Sequence, residues 1–343
     1  MYTKQLRLLS VSEIPPLVYL SSTSKKNVLA FRSTDKNDPP CTPTSPRTVF
    51  LAYSTDFEPS LFLQNFDDLY RYQSDNTRRL VVLTNVRFDL EQPEDIEIHY
   101  DMSSWNSSVY AHPPNSSLGY KNTQTGSDIL KVLDKFLDNK KVSLCGALIW
   151  IALKRYPNEQ DIDSLVMKVR QHHSAVRVVI NTNSSGGRYL ETMYRLANKT
   201  NGLSYFQSLE DRGLFEISQS DFEPNLIYAV NVNVSGKNGS MTLPSVYLPF
   251  AYPYNLDFTC HSGVRSSFRN TTLTFSGQYY TYPIIDDQTY ISPYGNYLFT
   301  QQSMYLGNYS VTLQYSYNVT ITQTLQIRLS SVNDIDFWIP YAD

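Results

Sequence analysis

Apolar and polar positions follow two different rhythms along the chain, and the change falls near residue 220. From Arg47 onward, short apolar runs alternate with segments whose apolar residues recur every three or four positions. The runs Thr48–Tyr53, Leu80–Phe88, Ala175–Ile180 and Leu203–Phe206 read as strands, and Ile96–Tyr100 as an edge strand. Val142–Leu153 is apolar nearly throughout, as a central parallel strand buried on both faces requires. Helices are predicted over Pro59–Tyr72, Asp161–His173 and Arg188–Lys199. The clearest holds Ile129, Val132, Leu133, Phe136 and Leu137 at i, i+3, i+4, i+7 and i+8 behind a Thr125-Gly-Ser-Asp128 cap. The stretch between Tyr100 and Thr125 reads as a polar loop. Strands alternating with helices predict a doubly wound, mostly parallel α/β sheet over residues 47–220.

Beyond Glu223 the helical period disappears. Ile227–Val234, Thr271–Phe275, Tyr297–Thr300, Tyr309–Tyr317 and Val319–Leu329 are strand-like, with turn residues between them. Residues 221–343 are therefore predicted to form an all-β sandwich. Residues 1–46 end in a Pro-, Thr- and Ser-rich stretch that cannot pack a core and reads as an extension and linker.

Composition narrows the class. Charged residues are 18% of the 343 and the net charge is -3, so bulk electrostatics does not favour nucleic acid. No run is long enough to span a membrane. The 27 tyrosines and the nine Asn-x-Ser/Thr acceptors, against about four by chance, point to a secreted glycoprotein. The acceptors are Asn106, Asn115, Asn183, Asn198, Asn233, Asn238, Asn270, Asn308 and Asn318. A signal peptide is not visible after Met1, so export requires an upstream segment; the alternative is a cytoplasmic protein. Of three cysteines, Cys145 lies in an apolar run and reads as core, leaving Cys41 and Cys260 as the candidate disulfide.

Ligands of open α/β sheets sit at the carboxyl ends of the strands. Those loops read Ala52-Tyr-Ser-Thr-Asp56, Asn122-Thr-Gln-Thr-Gly-Ser127 and Ala152-Leu-Lys-Arg155. In order and spacing of elements, residues 47–210 resemble the von Willebrand factor A family. The family's first strand ends in D-x-S-x-S, a Thr precedes its third helix, and an Asp ends its fourth strand. Together these hold a divalent cation that captures a ligand carboxylate.

On that resemblance Ala52, Ser54 and Asp56 take the D, S and S positions, or Tyr53, Thr55 and Phe57 one residue along. Thr123 or Thr125 stands for the loop Thr, and the fourth-strand Asp is replaced within Ala152-Leu-Lys154-Arg155. Neither register keeps the leading acid, and a cationic side chain opposes a hard cation. The resemblance thus implies a degenerate adhesion site at Ala52, Ser54, Asp56, Thr123, Thr125 and Lys154, with no metal and no other cofactor. An A-like domain with a Tyr-rich sandwich behind it also resembles secreted nematode proteins, which implies extracellular recognition of protein or carbohydrate.

Other motifs carry less. His172-His173 point about 100° apart on a helix and suit its C-terminal dipole. Ser184-Ser-Gly-Gly-Arg188 lacks the spacing and the lysine of a phosphate loop, and no G-x-S-x-G elbow is present. Exposed tyrosines such as Tyr279, Tyr280, Tyr282 and the Tyr290–Tyr297 cluster read as core plus rim, with a binding platform as the functional alternative. The expectation is a non-enzymatic recognition protein. The alternatives are a divergent hydrolase or nucleotide-binding enzyme on the same sheet, or a structural matrix protein.

Overall fold

A computed structural model of the protein describes residues 40–74, 80–207, 225–251, 253–261, 267–286, 291–292 and 295–341. The N-terminal extension up to residue 39, the 220/221 boundary and Tyr290 lie outside the described residues. The α/β part runs β1 (Arg47–Ser54), α1 (Pro59–Ser74), β2 (Leu80–Phe88), β3 (Glu97–His99), α2 (Met102–Ala111), α3 (Ile129–Leu137), β4 (Leu148–Leu153), α4 (Asp163–Gln171), β5 (Ala175–Ile180), α5 (Glu191–Lys199) and β6 (Leu203–Tyr205). Its six strands are ordered β3-β2-β1-β4-β5-β6, all parallel except the antiparallel edge strand β3.

Strands β1 and β4 are buried at every position, which explains their unbroken apolar runs. One face packs Phe50, Ile149, Ile151 and Val178 against α3, α4 and α5, with Phe50 stacked on Phe136 at 4.1 Å. The other packs Leu51, Tyr53 and Trp150 with Phe62, Phe66 and Trp105 of α1 and α2.

The remaining strands are antiparallel. They are β7 (Asn225–Val234), β8 (Asn238–Leu248), β9 (Tyr254–His261), β10 (Phe268–Ser276), β11 (Thr281–Asp286), β12 (Ile291–Ser292), β13 (Gly295–Gln302), β14 (Gly307–Tyr317) and β15 (Gln323–Ser331). They form a four-stranded sheet, β11-β10-β14-β8, and a five-stranded sheet, β12-β13-β9-β15-β7. Leu256, Phe258, Phe275, Val311, Leu313, Leu325, Ile327 and Leu329 fill a single core with both sheets' inner residues. This is the sandwich the sequence predicted.

Three local readings are corrected. The stretch after Tyr100 is helical at α2: Asp101 caps it by accepting from the Ser104 amide at 2.8 Å, and Trp105 packs edge-on against Phe66. Its serines, which favour caps and turns over helix interiors, hide that helix from periodicity. The apolar run Val142–Leu153 begins as a strand only at Leu148, because Gly146 turns the chain at φ +60.

The third correction is the disulfide, which pairs Cys41 with Cys145 and not with Cys260. Cys145 sits in the turn ahead of β4, half-buried and beside the segment that leads into β1, so it is no part of the sheet core. The C-terminal segment closes over the same region. Trp338 stacks on His173 at 4.7 Å, and its indole N–H donates to the Cys41 carbonyl.

The two parts meet through a polar layer. The Gln326 side chain accepts from the Ser204 amide at 2.9 Å and donates to Asn198 Oδ1 at 2.6 Å. Arg328, fully buried, donates from Nε to the carbonyls of Asn201 and Gly202, and from Nη2 to Asn231 Oδ1 at 2.8 Å. Tyr205 meets Tyr297 edge-on at 4.7 Å.

The Cys41–Cys145 bridge spans 104 residues, and cross-linking a loop of that length restricts the unfolded chain strongly. Replacing both cysteines by serine is expected to lower unfolding free energy by about 2–5 kcal/mol in denaturant titration. Non-reducing peptide mapping should recover a Cys41–Cys145 peptide, and a Cys41–Cys260 peptide would contradict the pairing.

Candidate functional site

The carboxyl ends of β1, β2 and β4 bring together Ser54, Thr55, Asp56, Asp89 and Arg155. Each strand end carries a polar residue directly after a buried apolar run. Arg155 Nε donates to Asp56 Oδ2 at 2.9 Å, in a pair whose side chains are only 3% and 7% exposed. Nη1 donates to the Asn122 and Thr125 carbonyls at 2.9 Å each, and Nη2 to the Tyr120 carbonyl at 3.2 Å. Four of the five guanidinium N–H groups are thus satisfied, and the Tyr120 ring lies 5.6 Å from the guanidinium carbon. Ser185 donates its hydroxyl to the same Asp56 oxygen.

The Ser184-Ser-Gly-Gly loop closes this arrangement. A Cβ on Gly186 would stand 2.3 Å from Arg155 Nη1, so only glycine lets the loop lie on the guanidinium. The Tyr156 amide donates to the Gly186 carbonyl at 2.8 Å, and the Gly187 amide to the Thr123 carbonyl at 3.0 Å. The loop is therefore packed against Arg155 and Tyr156.

Asp89 follows β2 directly in a left-handed conformation, φ +65, and is fully buried. Ser54 donates its hydroxyl to Asp89 Oδ2 at 2.5 Å, and the Asp89 amide donates to Asp128 Oδ1 at 2.8 Å. Burial pushes the Asp89 carboxyl up to about 7. Hydrogen bonds from Ser127 and Ser54 oppose the rise, and the neighbouring Asp128 and Asp56 add to it.

The positions named from sequence separate as follows. Ser54 and Asp56 stand at the site. Ala52 is two residues below, buried in the sheet core. Thr123 contributes its carbonyl to Gly187, and Thr125 its carbonyl to Arg155 while its hydroxyl bonds Asn122 Oδ1 at 3.0 Å. Lys154 turns aside to Asn181 Oδ1 at 3.3 Å. Asp89 and Ser185 were missed, and the signal for Asp89 was an acid placed directly after the run Leu80–Phe88.

Among the described residues no group of three or more His, Cys, Asp or Glu side chains is placed to hold a metal ion. No helix there is long and apolar enough to cross a membrane. A concavity of about 190 Å³ lies beside β3 and is lined by Tyr53, Asn85, Arg87, Glu94, Glu97 and His112 among others. Arg87 pairs with Glu94 within it, and Glu97 accepts from the Ser108 hydroxyl at 2.6 Å.

Sheet order, the antiparallel edge strand and the helices on both faces give residues 47–205 a doubly wound, mostly parallel α/β fold like that of von Willebrand factor A domains, followed by a β-sandwich. A family model described as Domain of unknown function (DUF7154) matches residues 230–332, within the sandwich. No curated protein matches the chain. Among solved structures, a von Willebrand factor type A protein from Catenulispora acidiphila is similar at 6% identity and a TM-score of 0.38. That match covers 84% of this chain and 58% of the other. Proximal thread matrix protein 1 from the mussel byssus, with a zinc-occupied MIDAS motif, is similar at 10% identity and a TM-score of 0.33, over 55% of this chain and 49% of the other. A carbohydrate-binding module from Cellvibrio mixtus lichenase 5A, in complex with cellotriose, matches at 13% identity and a TM-score of 0.21, over 32% of this chain and 92% of the other.

Asp89 gives the site a pH dependence whose sign is fixed. Between about pH 4 and 7 the unfolded carboxyl is ionised while the folded one keeps its proton, so the native state binds more protons and stability falls as pH rises. The full loss is on the order of 4 kcal/mol and is complete above pH 7. Asp89→Asn is expected to flatten the denaturant midpoint across that window and to leave the variant more stable than wild type at pH 8.

Proposed function

We propose that this is an extracellular, non-enzymatic recognition protein whose A-like domain works without a metal. One observation carries the reading: a buried guanidinium supplies the positive charge beside Asp56 where the A family places a cation. With Arg155 Nε at 2.9 Å from Asp56 Oδ2, a divalent ion would have to displace a side chain bonded to three backbone carbonyls. It would also have to approach a fixed positive charge.

The non-enzymatic part is supported by the partners at the strand ends. Ser54 donates to Asp89, and Thr55 exchanges hydrogen bonds with Asn115, so neither hydroxyl is paired with a histidine there. The extracellular part is supported by the Cys41–Cys145 bridge and by acceptor asparagines on exposed positions, among them Asn115, Asn183, Asn238, Asn270, Asn308 and Asn318. The loss of metal-dependent capture makes the partner one held by polar and aromatic contacts, protein or carbohydrate.

The reading is tested by thermal melting in Mg²⁺, Mn²⁺ and EDTA, where the wild-type midpoint is expected to stay constant. A Mg²⁺-dependent rise would sink metal independence through mass-action linkage. Arg155→Ala is expected to cost about 3–5 kcal/mol, because Asp56 is left buried without its counter-charge.

Expression through a eukaryotic secretory pathway is expected to give a glycosidase-sensitive mobility shift. Mass spectrometry should find Asn198 unmodified, because its side chain accepts Gln326 Nε2 in the polar layer and a glycan would open it. Secretion without any glycan would remove the support that the acceptor sites give to an extracellular role.

A further inference from the structure

Four large apolar side chains stand exposed on two neighbouring loops at one end of the sandwich: Tyr279 at 80%, Tyr280 at 47%, Tyr305 at 40% and Leu306 at 61%. Tyr279 and Tyr280 cap the β10–β11 hairpin, and Tyr305 and Leu306 precede β14. The Tyr280 and Tyr305 rings are stacked, centroids 4.4 Å apart and planes 22° from parallel, with Tyr282 6.3 Å from Tyr280. The two loops, Ser276-Gly-Gln-Tyr-Tyr-Thr-Tyr-Pro283 and Ser303-Met-Tyr-Leu-Gly-Asn-Tyr-Ser310, contain no charged residue. Tyr279 and Tyr280 present rings to water at the cost of hydration, and a solvent-facing aromatic patch of this kind marks a binding surface.

The patch is built rigidly from below. Tyr309, nearly buried, donates its hydroxyl to the Tyr305 carbonyl at 2.9 Å, and burial pushes that hydroxyl up to about 12. The Tyr305 amide donates to the Tyr282 hydroxyl at 3.4 Å, and the Gly277 amide to the Tyr280 carbonyl at 2.8 Å. A Cβ on Gly277 would come within 2.7 Å of the Tyr309 ring, so glycine there is what lets the hairpin close onto it. Rings already fixed before a ligand arrives lose little entropy on binding, which matters most for weakly held ligands.

We propose that this end of the sandwich is a platform for a neutral carbohydrate. A tyrosine ring offers a flat apolar face to the C–H face of a sugar and a hydroxyl to its rim. The amide side chain of Gln278, which is exposed, adds an uncharged donor and acceptor beside the rings. A protein partner would need about 20–30 residues a side, many more than these two loops present. An acidic glycan or a phosphorylated ligand would need cations that the loops lack. The inference deepens the recognition reading by naming a ligand class, and it uses different residues from Arg155, so either can fail alone.

The test is calorimetric titration of the full chain with neutral cello-, galacto-, manno- and chito-oligosaccharides and with sialylated and sulfated counterparts. At least one neutral series is expected to bind. Tyr280→Ala and Tyr305→Ala should each weaken it by about tenfold or less, the worth of one aromatic contact. Tyr100→Ala, which removes an exposed tyrosine of the α/β part, should leave binding unchanged, and unchanged melting midpoints in the variants would show that the fold is intact. The proposal is overturned if no neutral oligosaccharide binds up to about 10 mM, if the acidic series binds more tightly, or if the affinity is unchanged in both loop variants.

Discussion

A guanidinium cannot shed its proton, so wherever Arg155 is buried the chain has to bring acceptors to it. They come from residues far apart in sequence: Asp56 after β1, the carbonyls of Tyr120, Asn122 and Thr125 before α3, and a Gly186 stripped of its side chain to make room. Each of these loops is irregular and would otherwise have its own choice of conformation. Their common contact with one fixed, planar donor set removes that choice. The top of the A-like sheet is therefore organised from the inside, in the manner a metal ion would organise it, but with the charge covalently attached.

A second buried guanidinium does comparable work where the two parts meet. Arg328 reaches from β15 to the carbonyls of Asn201 and Gly202 on one side and to Asn231 on the other, while Gln326 joins Ser204 to Asn198. Taking such groups out of water costs as much as, or more than, their pairing returns, so neither junction is explained as a source of stability. Their effect is to make alternative packings worse. A slid or rotated sandwich would leave a buried cation without carbonyls, whereas an apolar junction would tolerate the shift.

This division explains what the sequence disclosed. Periodicity located the strands β1, β2 and β5 to within a residue or so because their apolar runs end where the sheet ends. It could not locate α2, whose Ser-rich stretch is helical through the Asp101 cap and the packing of Trp105. It also passed over β8, an edge strand that carries Pro244, which a central strand would exclude. In the site, Ser54 and Asp56 were readable from their place after a strand. The partner of Asp56 was not, because choosing between Lys154 and Arg155 depends on which way the chain turns after Leu153. The choice falls to Arg155, whose fork meets three carbonyls and a carboxylate together, while Lys154 turns to Asn181 Oδ1. The disulfide failed for a related reason: Cys145 sits at the edge of an apolar run, and only the turn at Gly146 takes it out of the core.

The same geometry bears on where a partner can sit. At the carboxyl ends of the strands Asp56 and Arg155 are covered, and the loop at Ser185 lies over them. On the sandwich, the outer face of the four-stranded sheet carries a ladder of threonines, with Thr274 opposite Thr312 and Thr312 opposite Thr242, beside the exposed Ile285 and Tyr247. The acceptors Asn238, Asn270 and Asn308 are exposed on strands of this sheet. Glycans carried there would project from that face and screen it from a large partner. The tyrosines between β10 and β11 and ahead of β14 lie at the sheet's end, where rings reach past the ladder into solvent. The strand-end residues Asp56 and Arg155 are thus covered, while the exposed rings of Tyr279, Tyr280 and Tyr305 stand at the end of the sandwich.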